Sequence, residues 1–349
     1  MGRLGRAVPV RARIVVAAVL AATVLPAAAG AAPRALELQL DRALSVPHVS
    51  PAASAAFAID LDTGEAVYSR NASLSLLPAS NEKLAVTYAA LTALGPSFQI
   101  ETDVLGEGQQ TAAIWQGDLV LKGYGDPTLT PWDLTVLARQ VRSAGISRVT
   151  GRVLADESWF DARRTAPGWK TSFYIEESPP LRAIVRWMDR TSDNFEAEML
   201  LKQLGAVQAE RGTTSAGIGV VSGLLAQAGV PTAGVRMVDG SGLSLLDRFT
   251  ANALVSLLTV MWNDPGVRPE LLASLPVAGR SGTLVHRMRG TAAAGVVLAK
   301  TGTTNNASAL SGFVGDRYVF SVLQNGWPIS WSWARLAQDR FAAVLAAYQ

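Results

Sequence analysis

Cysteine is absent from the 349-residue chain, and histidine occurs only twice, at His48 and His286. The lack of cysteine excludes disulfide bonds, thiolate zinc ligands, a cysteine nucleophile and a cysteine-linked lipid anchor. Two histidines are too few for a histidine-rich metal site, and we expect neither a metal nor an organic cofactor. Charged residues are also scarce, at 17%, whereas 49% of residues are hydrophobic, which excludes a mainly disordered chain.

An apolar run over residues 14–25 follows the four arginines that precede it, Arg3, Arg6, Arg11 and Arg13. The run is too short to span a bilayer, and Pro26 and several small residues come after it. This order predicts a secretory signal peptide over residues 1–31, and hence a protein of the periplasm or extracellular cell wall. A retained N-terminal anchor is the alternative. Loss of four arginines changes the net charge from +3 to −1, which removes the electrostatic argument for a nucleic-acid partner.

Apolar periodicity predicts an α/β (α+β) protein. Strands near both ends of the chain predict one antiparallel sheet that is flanked by helices. Residues 97–175 have a different character and predict a small α/β insertion. The main predicted elements are a hairpin over 57–68, a helix over 81–94, strands over 118–122, 149–154, 295–299, 312–314 and 318–322, and a final helix over 331–348.

Two of the five lysines, Lys83 and Lys300, occur in sequence contexts that suggest chemistry. Ser80 and Lys83 are three residues apart at a predicted helix start, a spacing that places both side chains on one face. A lysine whose pKa is lowered by burial or by a nearby positive charge can take the proton of a serine nucleophile. The alternative is that Ser80 caps the helix and Lys83 is solvated.

Two further segments extend this pattern. Ser192-Asp193-Asn194 precedes a predicted helix, where ordinary capping is the alternative. Lys300-Thr301-Gly302-Thr303 ends a predicted strand and would suit a ligand with a carboxylate, because it offers a strand-borne cation, two hydroxyls and a close backbone approach. Protection of an edge strand by the lysine is the alternative. In this order the three motifs are specific for active-site-serine penicillin-recognising enzymes.

The chain resembles the class C low-molecular-mass penicillin-binding proteins, the D-alanyl-D-alanine carboxypeptidase/endopeptidases of the penicillin-binding protein 4 type. Residues 239–244 and 279–284 resemble late loops of that family. The resemblance implies a penicillin-recognising serine transpeptidase/β-lactamase-like fold, with a catalytic domain formed by residues 32–96 and 176–349. Full-length members carry two extra domains between the first two motifs, and the insertion over 97–175 is shorter than that.

The resemblance also implies the role of each motif residue. Ser80 would attack the penultimate D-alanine carbonyl and Lys83 would be its general base. Lys300 would lower the pKa of Lys83 because two like charges lie close together. Ser192 would relay the proton to the leaving amine, and Asn194 would hold the substrate amide.

Substrate recognition would fall to the last motif. The hydroxyls of Thr301 and Thr303 would bind the terminal carboxylate beside Lys300, with Gly302 between them. The backbone N–H groups of Ser80 and Thr303 would form the oxyanion hole. Peptidoglycan stem peptides are the implied substrates and β-lactams the implied inhibitors, and no protein partner is predicted.

The sequence also bears on other functions. A serine β-lactamase shares the motifs, but no glutamate between residues 195 and 299 begins the deacylating Glu-x-x-Leu-Asn pattern. A non-catalytic cell-wall binding protein on the same scaffold is the other alternative. A Ser-His-Asp hydrolase and a nucleotide-binding protein lack their motifs. The tryptophans at 327, 331 and 333 are predicted to be packing residues, with a glycan-stacking surface as the alternative.

Overall fold

The computed structural model describes residues 34–162 and 178–349. The predicted signal peptide, residues 1–31, lies outside the described residues, as does the predicted boundary of the insertion at residue 176. All three motifs lie inside them.

Strands from both ends of the chain form a five-stranded antiparallel sheet, as predicted. In chain order the strands of the described residues, in both sheets, are β1 (Ser54–Asp60), β2 (Ala66–Arg70), β3 (Thr102–Thr111), β4 (Ile114–Gly123), β5 (Arg148–Val149), β6 (Val153–Asp156), β7 (Val297–Thr303), β8 (Ala307–Val314) and β9 (Tyr318–Asn325). The order across the main sheet is β2-β1-β9-β8-β7. The third motif therefore lies on an edge strand, β7, where one side of the backbone is free of sheet pairing.

Helices cover both faces of this sheet. In chain order the helices of the described residues are α1 (Arg34–Leu44), α2 (Lys83–Ala93), α3 (Pro131–Ser143), α4 (Leu181–Thr191), α5 (Asn194–Ala209), α6 (Thr214–Gln227), α7 (Ala251–Asn263), α8 (Arg268–Ser274) and α9 (Trp331–Ala347), of which α3 lies in the predicted insertion. Short 3-10 turns occupy Pro51–Ala53, Ala79–Glu82 and Gly282–Leu284.

Side chains of the central strands alternate between two apolar cores, because successive residues of a strand point to opposite faces. In β8, Ala309 and Phe313 join the core formed with α2, α4, α5 and α7, whereas Leu310 and Val314 join the core formed with α1 and α9. Every residue of β8 is buried. The sheet is thus a rigid central layer, and it fixes the position of its edge strand.

Helix α2 is buried along most of its length, from Lys83 to Leu91. Its small residues Ala85, Ala89 and Ala90 are fully buried and allow α4, α5, α6 and α7 to pack around it. A helix that is surrounded in this way holds its first turn in a fixed place. The residues at its start, Ser80 and Lys83, are therefore fixed by packing on every side.

The predicted insertion contains a second sheet. Strands β3 and β4 form a long antiparallel hairpin, and β5 and β6 pair with β4 in parallel. The prediction of one strand over residues 149–154 was wrong, because Gly151 interrupts it. Its N–H donates to the carbonyl of Gly117, and the carboxylate of Asp118 accepts from the N–H of Arg152.

Candidate active site

Ser80 lies in the 3-10 turn Ala79–Glu82 that leads into α2. No side chain caps either this turn or α2, so the interpretation of Ser80 as a helix cap was wrong. Ala79 adopts a φ of +46°, a strained conformation for a residue with a side chain. Such strain is concentrated at functional sites, and here it precedes the predicted nucleophile, Ser80, by one residue.

Lys83 is fully buried and makes three hydrogen bonds through Nζ. It donates to Ser80 Oγ at 3.0 Å, to Asn194 Oδ1 at 2.7 Å and to the backbone carbonyl of Ser241 at 2.8 Å. The amide oxygen of Asn194 and the carbonyl of Ser241 can only accept hydrogen bonds. The two N–H groups of a neutral Lys83 amine therefore remain bonded to these two oxygens. The lone pair of the neutral amine then faces Ser80 Oγ, which is the geometry of a general base.

Burial lowers the pKa of Lys83 to about 8, although the carboxylates of Asp239 and Asp189 oppose the shift. Desolvation disfavours the charged form of a buried amine, and this outweighs the attraction of the acids. A substantial fraction of Lys83 is therefore neutral near pH 8, as a base for Ser80 requires.

The second motif joins α4 to α5. Ser192 ends α4 in a left-handed conformation with a φ of +64°, and Asp193 caps α5 by accepting from the N–H of Glu196 at 3.0 Å. This sharp junction places Ser192 and Asn194 on either side of the capping residue. Ser192 Oγ contacts Lys300 and Asn194 Oδ1 contacts Lys83, so the motif bridges the other two.

Strand β7 contains the whole third motif, which the sequence placed at the end of the apolar strand over 295–299. Lys300 is fully buried, and its Nζ donates to Ser192 Oγ at 2.7 Å and to the carbonyl of Thr301 at 3.1 Å. A Cβ at Gly302 would lie 2.9 Å from the carbonyl of Pro78 and 3.0 Å from Ala79 Cβ. Glycine is required there because β7 packs directly against the turn that carries the nucleophile.

The pKa of Lys300 is lowered to about 7, first by burial and then by the ammonium of Lys83, with Asp189 opposing. Repulsion between two like charges is mutual, so the effect of Lys300 on the pKa of Lys83 stays a prediction. Burial is the main cause at Lys83.

Replacement of Lys300 by methionine is expected to leave the basic-side rise in β-lactam acylation near pH 8, because the pKa of Lys83 depends on burial. The rate should fall roughly ten- to a hundredfold, the value of a charge-assisted hydrogen bond, since Ser192 loses its partner. Acylation rates measured from pH 6 to 10 check this. A rise displaced to higher pH would show instead that the charge of Lys300 acts on Lys83.

The N–H of Thr303 is directed to the free edge of the sheet. Alternate N–H groups of a strand point to the same side, and the N–H of Ala299, four residues earlier, bonds to Pro276 outside the β7–β8 pair. The N–H of Thr304 donates inward, to Ala307. The N–H of Thr303 therefore points away from β8.

Three contacts of the site were not predicted. The carbonyl of Ser241 holds Lys83, Asn81 Nδ2 donates to the carbonyl of Lys300 at 3.1 Å, and Thr301 Oγ1 donates to Thr283 Oγ1 at 2.8 Å. From the sequence, residues 239–244 and 279–284 are indicated only as loops that resemble those of the family. Their roles depend on backbone atoms and on loop packing, which no side-chain pattern indicates.

A cluster of buried carboxylates includes Glu82, which lies in the same 3-10 turn as Ser80. Oxygens of Glu82, Asp239 and Asp247 are within 4.8 Å of one another, an arrangement that could hold a cation. Asp239, however, already accepts from three backbone N–H groups and the hydroxyl of Ser241. Burial raises the pKa of Glu82 well above its ordinary value and that of Asp247 to about 8, so bound protons can neutralise the cluster.

The tryptophans of the last segment are not all packing residues, which corrects the prediction. Trp327 is 76% exposed and Trp331 is 45% exposed. The indole N–H of Trp331 donates to the carbonyl of Thr304 at 2.8 Å. Trp331 thus fixes the start of α9 against the end of β7.

A family model described as the D-Ala-D-Ala carboxypeptidase 3 (S13) family matches residues 36–175 and 173–348. A D-alanyl-D-alanine carboxypeptidase of Actinomadura sp. (strain R39) is 29% identical over 473 positions, which cover 94% of this chain and 87% of the relative. The alignment is longer than the 349 residues of this chain, so the relative has segments with no counterpart here.

Solved structures show the same fold. Penicillin-binding protein 4 of Haemophilus influenzae superposes with a TM-score of 0.77 at 18% identity, over 89% of this chain and 98% of that one. Its complex with a β-lactam gives a TM-score of 0.73 at 18% identity, with the same coverage. The antiparallel sheet with helices on both faces is therefore the penicillin-recognising fold, as the motifs predicted.

Proposed function

Because the chain belongs to the D-Ala-D-Ala carboxypeptidase 3 (S13) family, a family of serine-type peptidases, we propose that it hydrolyses peptidoglycan stem peptides through an acyl-enzyme on Ser80. The observation that carries the assignment is the position of Lys83, whose Nζ contacts Ser80 Oγ while two acceptors hold its other protons. Endopeptidase action on cross-linked peptides is the same reaction with a larger leaving amine.

Acylation begins when neutral Lys83 takes the proton of Ser80 and Oγ attacks the penultimate D-alanine carbonyl. The N–H groups of Ser80 and Thr303 stabilise the oxyanion, and each such donor contributes about 3 kcal/mol in comparable enzymes. Ser192 passes a proton to the leaving D-alanine nitrogen. That proton is replaced by the one that Lys83 took from Ser80, and Lys300 holds the hydroxyl in place by donating to Ser192 Oγ at 2.7 Å.

Release of the acyl group requires an activated water. Glu198 is buried, and its Oε1 accepts from the N–H groups of Gly240 and Ser241 at 2.6 Å and 3.0 Å. These bonds fix the backbone of Gly240 and Ser241, and the carbonyl of Ser241 accepts from Lys83. Glu198 therefore supports the structure of the site. With no deacylating Glu-x-x-Leu-Asn loop in the sequence, a β-lactam adduct is expected to persist, as inhibition by penicillin requires.

The purified protein should release D-alanine from an acylated peptide that ends in D-Ala-D-Ala, and a fluorescent penicillin should label it covalently in a one-to-one ratio. Mass spectrometry measures both. Rapid regeneration of the labelled protein would favour a β-lactamase. Absence of an adduct and of D-alanine release would favour a non-catalytic cell-wall binding protein.

Export follows from this substrate, because peptidoglycan lies outside the cytoplasmic membrane. The arginines and the apolar run of residues 1–31 support a signal peptide. Within residues 34–162 and 178–349, none of the helices has the length and apolar character that a membrane span needs. The place of action that we propose is the periplasm or the cell wall.

A further inference from the structure

Arg335 lies in the second turn of α9, beside the end of β7. Its Nη2 donates to Thr303 Oγ1 at 3.4 Å, and the side chain is exposed. Thr303 is the residue whose hydroxyl we assign to the terminal carboxylate of the substrate. A guanidinium therefore stands next to that position, although no motif of the sequence includes it.

The charge of Arg335 is available for a ligand. Asp339, one turn further along α9, is held by Arg287, whose Nε and Nη2 donate to Asp339 Oδ1 at 2.9 Å and 2.7 Å. In the described part of the chain no carboxylate pairs with Arg335. A guanidinium has five donors in a planar fork that matches a carboxylate, and the bond to Thr303 uses one of them.

A groove of about 620 Å³ opens beside this guanidinium, lined by Asn305, Pro328, Ile329, Trp331, Ser332 and Arg335. Its walls are fixed, because the indole of Trp331 is bonded to Thr304 and the N–H of Ile329 donates to Asn305 at 3.0 Å. A substrate that lies along β7 can therefore place its carboxylate between Thr303 and Arg335 without a rearrangement of the backbone.

At a pH at which Lys83 is neutral and acts as the base, Lys300 by itself binds this carboxylate only weakly. Lys83 must be neutral, and its pKa is lowered to about 8, while the pKa of Lys300 is lowered to about 7. The charged groups that act on Lys300 are Lys83 on α2 and Asp189 on α4. When Lys83 is neutral, most of Lys300 is neutral too, whereas arginine keeps its charge at every such pH.

We propose that Arg335, together with the hydroxyl of Thr303, binds the terminal carboxylate of the substrate. This inference rests on the proposed function and names the part of the substrate that the groove recognises. It makes Arg335 a binding residue for peptides and β-lactams that carry a free carboxylate. Carboxylate recognition then persists above the pKa of Lys300.

The test compares two peptides that differ only at the C-terminus, one with a free D-alanine carboxylate and one with its primary amide. At pH 8.5, Arg335→Gln should lower kcat/KM for the carboxylate peptide roughly ten- to a hundredfold, mostly through KM. The amide peptide should be hydrolysed at an unchanged rate. Arg335→Lys should restore part of the loss, and Arg340→Gln, which removes an exposed arginine of the same helix, should behave as the wild type.

The pH dependence gives a second readout. At pH 6, where Lys300 carries its proton, the loss in Arg335→Gln should be several-fold smaller than at pH 8.5. An equal loss with both peptides, or no loss with either, would overturn the assignment of Arg335. If the proposed function itself failed, the wild type would release no D-alanine. Release by the wild type therefore shows that only the assignment of Arg335 has failed.

Discussion

Replacement of Ser80 by alanine is expected to abolish both D-alanine release and covalent labelling by β-lactams. Ser80 Oγ is the hydroxyl that Lys83 Nζ contacts at 3.0 Å, and no other hydroxyl of the described residues is bonded to that amine. Loss of the nucleophile costs about 10⁶-fold in kcat in a serine hydrolase. Intact-mass spectrometry after incubation with penicillin should show an unmodified chain.

Ser73→Ala, in the exposed loop before the 3-10 turn, is the matched control and should retain full labelling. Peptide mapping of the labelled wild type should place the adduct on Ser80. An adduct of Ser80→Ala on any other residue would defeat the assignment of the nucleophile.

Replacement of Lys83 by methionine is expected to slow acylation of Ser80 by roughly 10²- to 10⁴-fold, the usual contribution of a general base. In the wild type the second-order acylation rate should rise with pH through about 8, because burial lowers the pKa of Lys83 to that value and the neutral amine is the active form. In the variant this rise should disappear. Stopped-flow acylation from pH 6 to 10 measures both effects.

The variant must be shown to be folded, because Lys83→Met leaves Asn194 Oδ1 and the carbonyl of Ser241 without their donor. Thermal unfolding at pH 7 measures that cost separately from the rate. Lys202→Met, which removes a mostly buried lysine of α5 that is bonded to Asp161, serves as the control and should retain the pH profile. A rise through pH 8 that survives in Lys83→Met would assign the base to another group.

The amino-acid sequence by itself determined the elements that carry the site. The spacing of Ser80 and Lys83 and the helix start around them follow from local patterns. Lys300 could be placed beside a strand for the same reason. The sequence pattern near both chain ends was sufficient to predict one antiparallel sheet, because short apolar or alternating runs that turn residues bound indicate strands. Such signals are local, and each can be found in a short window of sequence.

Only the tertiary structure decided which atoms meet. The contact between Lys83 and Ser241 joins residues 158 positions apart, and the contact between Arg335 and Thr303 joins α9 to an edge strand. The order of the two lysine pKa values was also decided there, because it depends on complete burial and on the acids around each amine. Desolvation and long-range packing are properties of the folded chain, and for this reason the sequence could name burial and a nearby positive charge as causes of a lowered lysine pKa, but only the structure shows that burial is the largest cause at both lysines.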